Sequence, residues 1–194
     1  METEKIIQDY FSHIPAEILE KAKNIKLLIT DIDGVLTDGG IIYDDNGLEF
    51  KKFQVKDGLI VKHLRKNRFL IGAITGRKSK VVENRCEELR FDFHYHGIKD
   101  KGKKLNELLD TLELSHHEVA YIGDDLIDLP ILKKIGLSCC PSDALPYVSA
   151  QVDWVSRYAG GKGVFREMGD LLLYAKGKLS SIIDSYNETE NEEN

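Results

Sequence analysis

The chain has 194 residues, 42% of them hydrophobic and 31% charged, and its 27 Lys+Arg against 33 Asp+Glu leave a net charge of -6. That length suits one domain with a sizeable core, and 4 Pro with 16 Gly exclude collagen-like and low-complexity classes. The acidity argues against non-specific nucleic-acid binding, which rests on Lys and Arg neutralising phosphates, so an anionic ligand needs local cations or a bound metal.

Residues 1–24 read as an N-terminal helical segment. Ile14, Ile18, Leu19 and Ala22 recur at helical spacing, and Pro15 suits a first turn. The start, Met1-Glu2-Thr3-Glu4-Lys5, is not a secretory signal. The apolar run 25–30 has strand length and ends in Asp31-Ile32-Asp33-Gly34. Residues 39–53 are two short runs around Asn46-Gly47, which predicts a β-hairpin with a two-residue turn. Then the pattern alternates: a helix over 57–66, a strand over 69–74, a helix over 79–89, a strand over 91–95 and a helix over 101–112. Ser115-His116-His117-Glu118 resembles a capping box, but 119–122 reads as a buried strand, and the strand reading is preferred. A helix over 126–135, strands over 137–140 and 152–155 and a helix over 164–173 follow. Residues 185–194 carry four Glu and no base, which predicts a disordered end to a tail that begins at 179. Alternating strands and helices imply βαβ units and an α/β domain with a parallel sheet over 25–178.

No apolar run approaches the roughly 18–20 residues that span a bilayer. The cysteines, Cys86, Cys139 and Cys140, are odd in number and lack CxxC spacing, which disfavours both a disulfide framework and a structural zinc. The expectation is a reduced cytoplasmic protein.

Ligands of open parallel sheets bind past the carboxyl ends of strands. Those ends carry, in order, Asp31 and Asp33; Thr75-Gly76-Arg77; His96-Gly97 with Lys101 soon after; and Gly123-Asp124-Asp125 with Asp128 one turn later. Converging carboxylates repel one another unless a cation sits among them. All-oxygen ligands favour a hard ion such as Mg²⁺. A carboxylate can attack phosphorus, provided that a metal and Lys101 neutralise the phosphoryl charge. Asp33, two residues on, is placed to protonate the leaving alkoxide, and Thr75 to donate to a phosphoryl oxygen. The string is not a calcium loop, because Val35 and Ile42 occupy its fifth and twelfth positions. His94 and His96 share a strand face and suit either a transition-metal pair or structural histidines.

Asp31-Ile32-Asp33-Gly34-Val35-Leu36-Thr37-Asp38-Gly39 resembles the first motif of the haloacid dehalogenase-like phosphatase superfamily, and Thr75, Lys101 and Gly123-Asp124-Asp125-Leu126-Ile127-Asp128 match its later motifs in order. Val55-Lys56-Asp57-Gly58, Thr75-Gly76-Arg77, 157–163 and Arg166-Glu167 narrow the similarity to the 3-deoxy-D-manno-octulosonate 8-phosphate phosphatase family. The resemblance implies a Rossmann-like sheet, with a hairpin flap at 39–53 in place of a large cap. It implies Mg²⁺ held by Asp31, Asp33 (through its main-chain carbonyl) and Asp124. Asp31 is then the nucleophile, Asp33 the acid and later the base, and Thr75 and Lys101 bind the transferring group. Asp125 would orient Lys101 or metal-bound water, with Asp128 beside it. Arg77, Lys56, Gly76, Arg157, Gly160 and Gly161 would meet the substrate, a phosphorylated sugar acid of lipopolysaccharide precursor synthesis, in a homotetramer without membrane or nucleic-acid partners. Related nine-carbon sugar-acid phosphatases tend to carry Glu where Arg77 stands, which favours the eight-carbon acid. Lys56 stands where Arg is common, and Cys139-Cys140 replace small apolar residues. The alternatives are a nine-carbon sugar-acid phosphatase and a non-catalytic oligomerisation module of the same fold.

Overall fold

The structure is a computed structural model and describes residues 2–188. Two helices, α1 (Glu2–Phe11) and α2 (Ala16–Asn24), lead into β1 (Leu27–Thr30). The hairpin strands β2 (Ile42–Tyr43) and β3 (Glu49–Phe50) follow, then α3 (Val55–Lys66), β4 (Leu70–Ile74), α4 (Lys80–Glu88), β5 (Phe93–Tyr95) and α5 (Lys101–Leu112). The second half runs β6 (Val119–Ile122), α6 (Leu129–Leu132), β7 (Leu137–Cys140), α7 (Pro146–Ser149), β8 (Trp154–Val155), α8 (Val164–Ala175) and α9 (Leu179–Glu188).

The main sheet has the order β5-β4-β1-β6-β7-β8, and every pairing in it is parallel. β1 is central, with Thr30 opposite Ala73 on one side and Ile122 on the other. Both faces are buried, as a parallel sheet requires. Successive strand residues point to opposite faces. Leu28 therefore joins the core under α2, α3 and α8, whereas Leu27 and Ile29 join the core under α5 and α6. Ala120 and Ile122 divide from Val119 and Tyr121 in the same way. Asp31 continues the β1 ladder, its N–H donating to Ile122 O at 2.9 Å. The alternation thus turns it towards the side that carries α5.

Several local expectations are corrected. The hairpin turn is not a two-residue one. Gly47 N–H closes a turn on Asp44 O at 3.0 Å and Asp44 N–H reaches Leu48 O, with Gly47 (φ 79) but not Asn46 at positive φ. A two-residue Asn-Gly turn needs both residues there. The Asp44 carboxylate stabilises the longer loop instead, accepting from the N–H groups of Asn46 and Leu48. The capping box at Ser115 and the strand after it are both present, because the box closes a single 3-10 turn, His116–Glu118, that feeds β6. The helix expected over 126–135 is a 3-10 turn, Leu126–Asp128, followed by the short α6, where Pro130 fits the first turn but cannot continue a helix begun earlier. The strand expected over 152–155 shortens to β8. Residues 185–188, expected to be disordered, belong to α9, which buries Leu179 and packs Ile182 and Ile183 against the core. The remainder of that expectation, 189–194, lies outside the described residues.

Candidate active site

Asp31 is 4% exposed and Lys101 1%. Lys101 begins α5, whose N-cap Asp100 accepts from Lys103 N–H at 2.9 Å. Its Nζ lies 2.9 Å from Asp31 Oδ1 and 2.7 Å from Asp128 Oδ1. Tyr121, buried on the face of β6 below Asp31, donates its hydroxyl to Asp128 Oδ1 at 2.6 Å and lies 3.3 Å from Lys101 Nζ. Asp128 Oδ2 accepts from the N–H groups of Asp124 and Asp125 at 3.1 and 3.2 Å. Asp128 thus ties the loop after β6 to the lysine. Asp125, expected to orient Lys101 or metal-bound water, does not contact Lys101: it is exposed and caps its own 3-10 turn, accepting from Leu126 N–H at 2.7 Å. Gly34, with φ 88, brings the loop after β1 against the Asp124 carboxylate, where any Cβ would collide.

Oxygens of Asp31, Asp124 and Asp128 lie within 4.8 Å of one another. Burial pushes Asp31 up to about 7; the neighbouring Asp128 adds to this and Lys101 opposes it. Burial, then the charges of Asp31 and Asp128, push Asp124 up to about 8. Burial works against the charged form of Lys101 as well, but Asp31 and Asp128 outweigh it and raise that group. The oxygens of Asp128 are engaged by the protein and Asp31 Oδ1 is paired with Lys101, whereas Asp124 Oδ1 is buried without a hydrogen-bond partner. An unpartnered carboxylate oxygen beside the Asp31 carboxylate fits a hard divalent cation, which would relieve their repulsion.

Asp33 faces the hairpin. Lys51, just beyond β3, forms a short ion pair with its Oδ1, and Arg77 Nε stands 3.6 Å from its Oδ2. Arg77 also reaches Glu49 at 3.2 Å and the Tyr43 hydroxyl at 3.0 Å. The sequence reading missed Tyr43, Glu49, Lys51 and Tyr121. A tyrosine in the apolar run 119–122 was the one available signal, since a buried hydroxyl needs a partner. Lys51-Lys52 reads as solvated charge.

Thr75 is buried at the end of β4, two residues past Ala73, on the sheet edge that carries Asp31. Its Oγ1 accepts from Arg77 N–H at 3.4 Å. Gly76 is exposed at the same edge. Lys56 is exposed in the first turn of α3. Arg157, Gly160 and Gly161, expected at the substrate, are engaged by the protein. Arg157 pairs with buried Glu167 at 2.8 Å and lies over the Tyr10 ring. Gly160 N–H donates to Asp143, and Gly161 N–H to Val35 O in the loop after β1. Gly160 and Gly161 thus pack against that loop. His94 and His96 bond to each other at 2.7 Å, and among the described residues no third metal-ligating side chain joins them. A cavity of about 390 Å³ beside α3 and α4 is lined by Gly58, Val61, Lys62, Arg65, Lys66 and Leu89, away from the carboxylates. Chemistry rather than cavity size therefore marks the site.

The family model for haloacid dehalogenase-like hydrolases matches residues 95–168. The chain is 44% identical over 169 residues to the 3-deoxy-D-manno-octulosonate 8-phosphate phosphatase of Escherichia coli, covering 87% of this chain and 90% of the relative. The structure of the phosphatase of that name from Yersinia pestis superposes with a TM-score of 0.83 at 41% identity, over 84% of this chain and 89% of that one. The Moraxella catarrhalis enzyme, solved with magnesium, phosphate and KDO, gives 0.86 at 36% identity, over 88% and 98%.

Proposed function

Because the chain belongs to the 3-deoxy-D-manno-octulosonate 8-phosphate phosphatase family of haloacid dehalogenase-like hydrolases, we propose that it hydrolyses that phosphorylated eight-carbon sugar acid to the free acid and inorganic phosphate, a step of lipopolysaccharide precursor synthesis. The observation that carries the reading is Asp31 held 2.9 Å from Lys101 beside the unpartnered oxygen of Asp124.

The residues divide the work as follows. The Asp31 carboxylate attacks phosphorus while the bond from phosphorus to the sugar oxygen breaks. Asp33 delivers a proton to that oxygen, leaving an aspartyl-phosphate on Asp31. Asp33 then takes a proton from water as the water oxygen attacks phosphorus, which frees Asp31. Lys101, fixed by Asp128 and Tyr121, balances the phosphoryl charge, and the Thr75 hydroxyl donates to a phosphoryl oxygen. Asp31 and Asp124 would hold Mg²⁺, with the Asp33 main-chain carbonyl as a further ligand. When bound, the ion offsets the carboxylate charges and polarises the phosphoryl group.

Arg77 is the cation we place at the sugar carboxylate, because a guanidinium matches a carboxylate in a forked pair. A homotetramer is supported by the exposed apolar side chains of the hairpin, Ile41, Ile42, Tyr43, Leu48 and Phe50; a monomeric mass in light scattering at working concentration overturns it. Three buried free thiols suit a reducing cytoplasm, and no helix among the described residues is long and apolar enough to cross a membrane.

The test is phosphate release with Mg²⁺ from a panel of eight- and nine-carbon sugar-acid phosphates and hexose phosphates, with Asp31→Asn as control. Selective turnover of the eight-carbon acid, abolished by the substitution, supports the reading. Preference for a nine-carbon acid keeps the mechanism and removes the substrate. No turnover by folded, metal-loaded protein favours an oligomerisation module.

A further inference from the structure

Lys51 leaves the hairpin at the end of β3, where a lysine ordinarily extends into water. Its side chain instead has no exposure. A buried ammonium is tolerated when it is paired, and this one meets Asp33 Oδ1 in a short ion pair and Glu49 Oε1 at 3.5 Å. Arg77 Nε stands 3.6 Å from the other oxygen of Asp33 without a hydrogen bond to it, and Arg77 returns to the hairpin through Glu49 and Tyr43. One oxygen of Asp33 is therefore held by a cation of the hairpin, and Oδ2, with no hydrogen bond from Arg77, keeps room for the acid's proton. Within one subunit Ile42, Tyr43 and Phe50, which make up most of the two-residue strands, are exposed, so these polar contacts are what seat the hairpin on its own active site.

We propose that Lys51 is a positioning residue for the Asp33 carboxyl group, so that seating of the hairpin and alignment of the proton donor are one event. The inference rests on the reading of Asp33 as general acid. Lys51 transfers no proton. The proton passes from the Asp33 carboxyl to the sugar oxygen as its bond to phosphorus breaks and the Asp31 bond forms, and Lys51 fixes the carboxyl orientation from which it leaves. The arrangement matters for a sugar alkoxide, a poor leaving group. It matters little for p-nitrophenolate, which departs unprotonated.

The experiment follows the first half-reaction of the full-length, Mg²⁺-loaded protein in single turnover. Sugar release from the sugar-acid phosphate is compared with the nitrophenol burst from p-nitrophenyl phosphate. Lys51→Met is expected to slow sugar release on the order of 10–100-fold, part of the 10²–10⁴ that a general acid supplies, and to leave the burst within about threefold. Lys51→Arg restores most of the loss. Glu49→Gln, which keeps the lysine but weakens its seat, shifts sugar release in the same direction by less and serves if Lys51→Met melts early. The proposal is overturned if Lys51→Met and Glu49→Gln slow both substrates equally, or neither, while Asp33→Asn still slows sugar release selectively. If Asp33→Asn itself shows no selectivity, the reading of Asp33 as the acid fails, and the proposal with it.

Discussion

Lys101 and Asp128 form a 2.7 Å ion pair between two side chains with no solvent exposure. The pair is completed by the Tyr121 hydroxyl and by two backbone N–H groups of the loop that carries Asp124. Removing one partner of a buried pair leaves an uncompensated charge. Asp128→Ala is therefore expected to lower stability by about 3–5 kcal/mol and to cost about 10–100-fold in kcat, since Lys101 and Asp124 both lose their support. Denaturant melts and steady-state rates check this. A stable variant with ordinary kcat would place Asp128 outside the machinery.

Mg²⁺ is expected to raise the melting temperature, because it binds the folded cluster and not the unfolded chain. At a hundred times its Kd the gain is about 2.7 kcal/mol. Asp124→Asn removes the charge of the carboxylate that carries the unpartnered oxygen and is expected to abolish the shift. An undiminished shift in Asp124→Asn moves the ion elsewhere.

Arg77→Met is expected to raise KM for the sugar-acid phosphate about tenfold, the value of one charged contact, with the Mg²⁺ Kd, read from the thermal shift, changing much less. Arg77 stands beside Asp33 and Glu49 rather than among Asp31, Asp124 and Asp128. Unchanged KM removes it from the substrate.

Asp57 provides a pH signature remote from the metal site. Burial pushes its carboxyl up to about 6, against the Arg166 N–H that it accepts at 2.8 Å. The folded chain therefore holds this proton more tightly than the unfolded one. Its stabilising contribution is full below about pH 4 and is lost as pH rises through 6, about 3 kcal/mol for a shift near two units. Asp57→Asn keeps an acceptor for Arg166 and is expected to gain on the wild type across that window. Parallel stability profiles from pH 4 to 7 would contradict the assignment.

The sequence by itself determined the parallel sheet and the residues at its edge. Continuous apolar runs of strand length separated by helices are buried on both faces only in a covered parallel sheet, and the turn after each strand then presents Asp31, Asp33, Thr75 and Asp124 at one edge. Lys101 followed from its position shortly after Gly97, past the end of the third strand at that edge. Tertiary structure alone decided which partners these groups have. Asp125 and Asp128 are equivalent as letters, but a 3-10 turn aims the first at its own backbone and solvent and returns the second beneath Lys101. Lys51 and Lys52 are likewise equivalent, and only the seating of the hairpin buries the first against Asp33 while the second stays exposed. Arg157, Gly160 and Gly161 sit in a charged, glycine-rich segment that invites a substrate reading, and only the fold shows that Glu167, Asp143 and Val35 are their partners within the protein. Local pattern reports which faces must leave water, whereas the choice among like charges depends on which elements approach in space.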